Sequence, residues 1–503
     1  DGCLMEGISQ EAITLAGHLK LNKLIVLFDD NSVTIDGGTD LSDNTDQCAR
    51  FEASGWITKK VDGHDEKSVE AALTWAKKQK KPVMLAVKTI IGYGAPKIAG
   101  TGKAHGGPYG AEEIAGIREN IGWKYPPFEV PAAIEKAWAK AGERSKKEHE
   151  AWNKRLAGSE HKGEFNAAMT GRLPKNIAKA IIKHKKAVAE GGEKKATRQW
   201  SGAALEVLTH LVPEMIGGSA DLTGSNNTKT SHTDPITPKN WAGRYVHYGV
   251  REHGMAAAMN GMALHGGILP YSGTFLVFAD YSRGAIRLGA LMGTRVVHVM
   301  THDSIGLGED GPTHQPVEHV ASLRAMPNML VFRPADGVET AECWELAIAN
   351  ETGPSVMALT RQGVAPARTT HTDDNLSAKG AYVLSDCKGK AQATILATGS
   401  EVEIALAAQE MLAEDGIAAR VVSCPCLELF EQQHGNYRKS VLGTAPRVAV
   451  EAGVRFGWDR WIGEDGGFVG MSSFGASAPY TDLYKKFGIT AQAVAAEVKK
   501  RIA

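Results

Sequence analysis

The sequence predicts an α/β protein of three doubly wound parallel-sheet domains, and three observations predict it. Short apolar runs recur along the chain, most are followed within a few residues by Gly, Asp, Pro or Ser, and helical patterns separate them. Runs of this kind read as strands covered on both faces, which is the habit of parallel sheets. At 503 residues there is room for about three domains of ordinary size.

Taken in order, the strand candidates are Leu24–Phe28, Val83–Val87, Arg295–Met300, Met329–Phe332, Ala393–Ala397 and Arg447–Val450, with Val402–Ala408 a clear helical segment. From Ala139 to Lys195 the chain is rich in Lys, Glu and Ala and reads as a helical connector rather than core. Between Gly363 and Ala381, Pro366, Asp373, Asp374 and a lack of apolar periodicity predict a surface linker. These shifts predict domains at 1–170, 195–365 and 380–503, with 171–194 a helical linker. In the third domain Gly399–Glu401 and Glu451–Gly453 read as structural turns.

Composition narrows the function classes. Lys+Arg and Asp+Glu are equal at 57 each, so no global field draws nucleic acid or an anionic membrane surface, and a small-molecule partner is expected. No uninterrupted apolar run reaches ~20 residues, so no membrane span is expected. Six scattered cysteines fit a reducing, cytoplasmic compartment. Cys424-Pro425-Cys426 has neither the usual zinc nor the thioredoxin-type spacing and reads as buried hydrophobes.

The densest chemical signal is Thr301–Pro316, which holds His302, Asp303, Asp310 and His314 among glycines directly after a buried-strand pattern. In an open parallel sheet that position is the carboxyl-end crevice where ligands bind. Glycines allow close backbone approach, while His and acidic groups supply proton transfer and hydroxyl recognition. Taken singly, a loop His is more often solvated than catalytic, and Asp303 also reads as a turn cap. A second signal pairs Asp1-Gly2 with Asn31: two hard oxygen ligands suit Mg²⁺ or Ca²⁺ bridging phosphates, although Asp29-Asp30-Asn31 alone also reads as a turn after a strand.

Thr301–Pro316, with Tyr248–Met255 and Ile91–Gly94, resembles the transketolase family, in collinear order over essentially the whole chain. The resemblance implies three domains of the thiamine diphosphate-binding type and transfer of a two-carbon ketol unit from a ketose phosphate to an aldose phosphate. It implies thiamine diphosphate and Mg²⁺ (or Ca²⁺) as cofactors, and a homodimer with the active site at the subunit interface. Asp1, Asn31 and the Val33 carbonyl match the metal ligands, and Gly2 the diphosphate contact. Glu252 matches the activating glutamate, which in protonated form donates to the pyrimidine ring nitrogen; its neighbours Arg251 and His253 by themselves suggest an ordinary ion pair. Phe275, Phe278 and Tyr281 match the aromatic wall around the pyrimidine, and their spacing predicts one helix face, where plain core is the competing reading. Arg198, Ser225, His302 and Arg361 match the phosphate-binding set, Asp310 the acid that reads a sugar hydroxyl, and His105 and His314 the histidines near the reacting carbons and the cofactor.

Asp1-Gly2 resembles the family's Gly-Asp-Gly motif entered after its first glycine, so the first domain is expected to be incomplete, with exposed sheet edges and at most weak activity for the chain alone. Two other readings stay open: a different thiamine enzyme, such as dihydroxyacetone synthase or deoxyxylulose phosphate synthase, and an inactive fragment or partner subunit.

Overall fold

A computed structural model describes residues 1–503. The chain divides into two compact units, Asp1–Glu164 and Phe165–Ala503, and each is described by itself.

The first unit is organised by a three-stranded parallel sheet of β1 (Ile25–Asp30), β2 (Ile57–Asp62) and β3 (Val83–Lys88), with β3 central. Successive β3 side chains point to opposite faces, as strand geometry requires. Met84 and Ala86 join Ile13, Phe28, Phe51 and Trp56 on one side, and Val83, Leu85 and Val87 join Val61, Ala72 and Ala76 on the other. Both faces of the central strand are therefore covered, which is why its sequence is a continuous apolar run. The outer strand β1 leaves Leu27 exposed. Helices Ala132–Glu143, Lys146–Ala157 and Lys162–Met169 bury no residue, as expected of a connector.

The second unit begins with a correction. Helix α1 (Ile177–Gly191), expected to be linker, places Ile177 and Ile181 in the same core as Leu205, Leu208, Tyr271 and Trp344. Its buried Lys185 pairs with Glu342 at 2.9 Å and donates to the Asp374 carbonyl at 2.6 Å. That core backs a six-stranded, wholly parallel sheet of β4 (Met215–Ser219), β5 (Tyr245–His247), β6 (Leu269–Phe275), β7 (Val297–Thr301), β8 (Leu330–Phe332) and β9 (Ser355–Leu359), in the order β8-β9-β7-β6-β4-β5. Strand β4 is poor in apolar residues because it must be: a Cβ on Gly217 would lie 2.5 Å from the Tyr271 ring, and one on Gly218 2.4 Å from Tyr248.

A third, five-stranded sheet follows: β10 (Tyr382–Ser385), β11 (Ala393–Ala397), β12 (Ala419–Ser423), β13 (Arg447–Val454) and β14 (Gly467–Met471). It is mixed rather than purely parallel, since edge strand β10 runs antiparallel to β12. The stretch from Gly363 to Ala381 is not a loose surface linker: Gly363–Val364 pairs with Lys195–Ala196, Arg368 is buried against Glu342 at 2.7 Å, and Ser377 is buried. Glu451–Gly453 is no turn either, but the middle of β13. Cys424 and Cys426 are buried, as their spacing suggests.

Candidate active site

Because the second sheet is parallel, the C-terminal ends of β4, β5, β6, β7 and β9 share one edge, and the loops leaving them carry the candidate residues of this unit. Ser225 follows β4, Glu252 follows β5, Phe278 and Tyr281 follow β6, His302 to His314 follow β7, and Arg361 follows β9.

Arg198 reaches the same edge from helix α2 (Thr197–Leu211). Thr197 N donates to Thr360 Oγ1 at 2.9 Å and Thr360 N to Thr197 Oγ1 at 2.7 Å, a reciprocal clamp that sets Arg198 beside Arg361. Arg198 Nη1 donates to the Ser225 carbonyl at 2.7 Å, and its Nε has no hydrogen-bond partner. Burial, and secondarily the Arg361 charge, lowers the Arg198 pKa. His302 is buried in the left-handed region at φ +62°, its ring stacked on Phe275 at 3.7 Å. Burial, reinforced by Arg198, Arg361 and His314, pushes the His302 pKa down to about 3, so the ring is neutral near pH 7. Arg198, Ser225, His302 and Arg361 are thus brought together, and a cluster of positive charge with an unsatisfied donor suits an anion with several oxygens.

The aromatic residues meet, but not as expected. Phe275 ends a strand, Phe278 ends a single 3₁₀ turn and Tyr281 lies in the first turn of helix α3 (Ala279–Met292), so no helix face is shared. The rings still form a continuous wall: Phe275 and Phe278 stack at 5.7 Å, and Tyr281 meets Phe278 edge-on at 5.8 Å. His314 stands against the same wall, 5.5 Å from Phe278. Glu252 is buried as the first residue of helix α4 (Glu252–His265), while Arg251 Nη1 donates to the Tyr248 carbonyl at 2.7 Å. Asp310 is exposed.

In the first unit, Asp1 Oδ2 accepts the backbone N–H of Asn31 at 3.1 Å and of Ser32 at 2.9 Å. Asn31 Oδ1 accepts Val33 N–H at 3.0 Å, and Ser32 sits at φ +59°. The three predicted ligand residues are therefore neighbours. A Cβ at Gly2 would meet nothing within 4 Å, so space beside that backbone is open. Gly102 is required: a Cβ there would lie 2.8 Å from the Ile35 carbonyl, so only glycine lets the loop bearing exposed His105 cross the Thr34–Gly37 turn that follows Val33.

Residue patterns missed what holds the β7 loop. Asp303 is an ion-pair partner, not a turn cap: its Oδ2 accepts from buried Arg333 Nε at 2.9 Å, and Arg333 also pairs with Glu401. Gln315 Nε2 donates to the Gly308 and Ala476 carbonyls, both at 2.9 Å, and Ser477 Oγ to the Glu309 carbonyl at 2.6 Å. Nothing local signals these partners, which lie up to 168 residues away.

Comparison with known proteins gives a consistent result. Residues 1–175 match the family described as transketolase, thiamine diphosphate binding domain, residues 193–366 the transketolase pyrimidine binding domain, and residues 380–490 the transketolase-like C-terminal domain. The chain is 58% identical to a transketolase of Sinorhizobium medicae over 99% of its own length and 72% of the relative's, and 54% identical to one of Cereibacter sphaeroides over 100% and 76%. Among solved structures, a Leishmania mexicana transketolase aligns with a TM-score of 0.94 at 41% identity, covering 100% of this chain and 74% of that one. A Pichia stipitis transketolase in complex with sedoheptulose 7-phosphate aligns with a TM-score of 0.94 at 39% identity, covering 100% and 75%.

Proposed function

The chain belongs to the transketolase family, and from that premise we propose that it moves a two-carbon ketol group reversibly from a ketose phosphate such as xylulose 5-phosphate to an aldose phosphate such as ribose 5-phosphate, in the pentose phosphate pathway. The observation that carries the substrate reading is the anion cluster. Arg198, Ser225, His302 and Arg361 converge at the strand ends beside the aromatic wall, with Arg198 Nε unsatisfied.

When bound, thiamine diphosphate supplies the electron sink that lets a carbon–carbon bond break and re-form. The chain's residues do the rest. Phe275, Phe278 and Tyr281 form an apolar wall that stacks on the pyrimidine and excludes water. Glu252, buried at a helix start, is the group that shares a proton with the pyrimidine ring nitrogen. His314 and His105 move protons at the sugar oxygens, and Asp310 accepts from a sugar hydroxyl. Arg198 and Arg361 hold the phosphate in forked contacts, and neutral His302 donates to it. Asp1, Asn31 and the Val33 carbonyl offer only oxygen, the donor set that Mg²⁺ or Ca²⁺ takes, and the open space beside Gly2 accepts a diphosphate.

Three further readings belong to this proposal. The domains are 1–170, 195–365 and 380–503. The protein works as a homodimer, which the exposed apolar residues Val250, Leu264, Tyr281, Leu288 and Leu291 on or beside helices α3 and α4 support. It acts in the cytoplasm, supported by six free thiols; no helix is long and apolar enough to cross a membrane.

The test is direct. Thiamine diphosphate with Mg²⁺ should raise the thermal midpoint, and xylulose 5-phosphate plus ribose 5-phosphate should be converted only when both are present. A chain whose midpoint does not move, or which turns over acceptors without regard to phosphate, overturns the reading.

A further inference from the structure

A directed hydrogen-bond chain runs beneath His302 through residues that have no role in the site so far. Leu222 N donates to Ser219 Oγ at 3.1 Å, Ser219 Oγ to Asn226 Oδ1 at 2.9 Å, and Asn226 Nδ2 to Thr301 Oγ1 at 2.8 Å. Thr301 Oγ1 then lies 2.9 Å from His302 Nδ1. Ser219, Asn226 and Thr301 are each 0% exposed, so no water competes for these bonds.

The direction follows from the donor inventory. An amide nitrogen only donates and an amide oxygen only accepts, so Thr301 Oγ1 receives the Asn226 proton; were it also to accept from His302 Nδ1–H, its own buried proton would be left unbonded at a cost, so that proton goes to His302 Nδ1. We infer that Asn226 and Thr301 are positioning residues that hold His302 as the Nε2–H tautomer, so that the free edge of its ring donates to the substrate phosphate. This rests on the proposed role of His302 as a phosphate ligand.

The tautomer matters because the ring is neutral at working pH and carries one proton only, with burial pushing its pKa down to about 3. With the proton on Nε2 the ring attracts an anion. With the proton on Nδ1 it turns a lone pair on that anion. The ring is also held in place from outside the chain of bonds, by its stacking on Phe275 at 3.7 Å and by a backbone fixed at φ +62°. Asn226 thus joins the ends of β4 and β7, adjacent to β6 on either side, and couples the turn that carries Ser225 to the loop that carries His302.

Two near-isosteric variants separate this role from plain packing. Thr301→Val removes the hydroxyl, and Asn226→Asp replaces the donor with an acceptor that draws the Thr301 proton away from Nδ1. In the full chain with thiamine diphosphate and Mg²⁺, and with unphosphorylated hydroxypyruvate as donor, both should raise KM for ribose 5-phosphate by about tenfold. KM for glycolaldehyde, which has no phosphate, should stay near the parent value. Thr301→Ser, which keeps the hydroxyl, should restore the parent KM. Nitrogen NMR of ¹⁵N-histidine-labelled protein should show His302 as the Nε2–H form in the parent and lose that signature in Asn226→Asp. An Nδ1–H signature in the parent, or an unchanged ribose 5-phosphate KM in both variants while His302→Ala raises it, overturns the relay alone. If His302→Ala also leaves that KM unchanged, the phosphate role of His302 falls, and the relay with it.

Discussion

The two groups of candidate residues are held by different means. In the first unit Asp1, Asn31 and Val33 are gathered by backbone amides and a local turn, part-buried, with the exposed pair Lys88–Asp30 at 3.2 Å beside them. In the second unit the loop bearing His302 and Asp310 is held chiefly by buried side chains, Asn226 below and Arg333 and Gln315 beside it, with exposed Ser477 adding one bond to the Glu309 carbonyl. A site that must take hard cations and release them can be built from open backbone turns. One that must aim a neutral imidazole and two guanidinium groups at one anion needs side chains with no freedom left, and that costs buried polar partners.

The contrast breaks most sharply at Glu252. Glu252→Gln should lower kcat by about 10²–10⁴-fold with a small change in thermal midpoint, because the amide keeps the side chain's size and shape but cannot exchange the proton. A rate near that of the parent would remove Glu252 from the chemistry. Next comes Arg333→Met, which strands Asp303 and Glu401 without their shared cation, while Glu451 keeps Arg324 at 2.9 Å. Breaking such a buried pair costs about 3–5 kcal/mol, measurable by denaturant unfolding, and should disorder the β7 loop. In the first unit Asn31→Ala should weaken Mg²⁺-dependent cofactor binding on the order of 10–100-fold by titration, the usual scale for a lost metal-site group, while leaving stability almost unchanged.

A pH effect sharpens the comparison further, since only the second unit has a deeply buried carboxylate that titrates near neutrality. Glu339 is held among Tyr382, Ser423 and Asp336, and burial, with Asp336 adding to it, raises its pKa from 4.5 to about 7. A carboxylate raised on folding keeps its proton longer than the unfolded chain does. Stability from this group is therefore greatest below pH 4.5, falls as pH rises from there to about 7, and is level above that. Glu339→Gln should flatten this part of the stability profile in thermal unfolding; an unchanged slope would mean that Glu339 ionises normally. The smallest effect is expected at the first unit's exposed pair: Lys88→Ala should cost about 0–1 kcal/mol.

What could be read from residue order depended on the range of the forces involved. Ala393–Ala397 was legible to the residue because a central strand buried on both faces is apolar throughout. Strand β6, Leu269–Phe275, was not, because Ser272, Gly273 and Thr274 serve close packing rather than apolar patterning. Phe275, Phe278 and Tyr281 stand out as a group in the sequence, but their spacing suggests one helix where a strand end, a 3₁₀ turn and a helix start follow each other. The stretch 171–194 looked like linker because Lys-rich helices usually are, and its buried Lys185 has its partner 157 residues away.

By itself the sequence determined the α/β class, the strand-end position of the Thr301–Pro316 loop and the chemical character of each candidate group, since these follow from local periodicity and side-chain chemistry. Only the tertiary structure decided which groups meet: that Arg198 and Arg361 flank His302, that Asn226 reaches Thr301, and that Arg333 anchors Asp303. Such contacts join residues from 30 to 163 positions apart, and they exist only where several strands end on one edge and burial removes the water that would otherwise take their place.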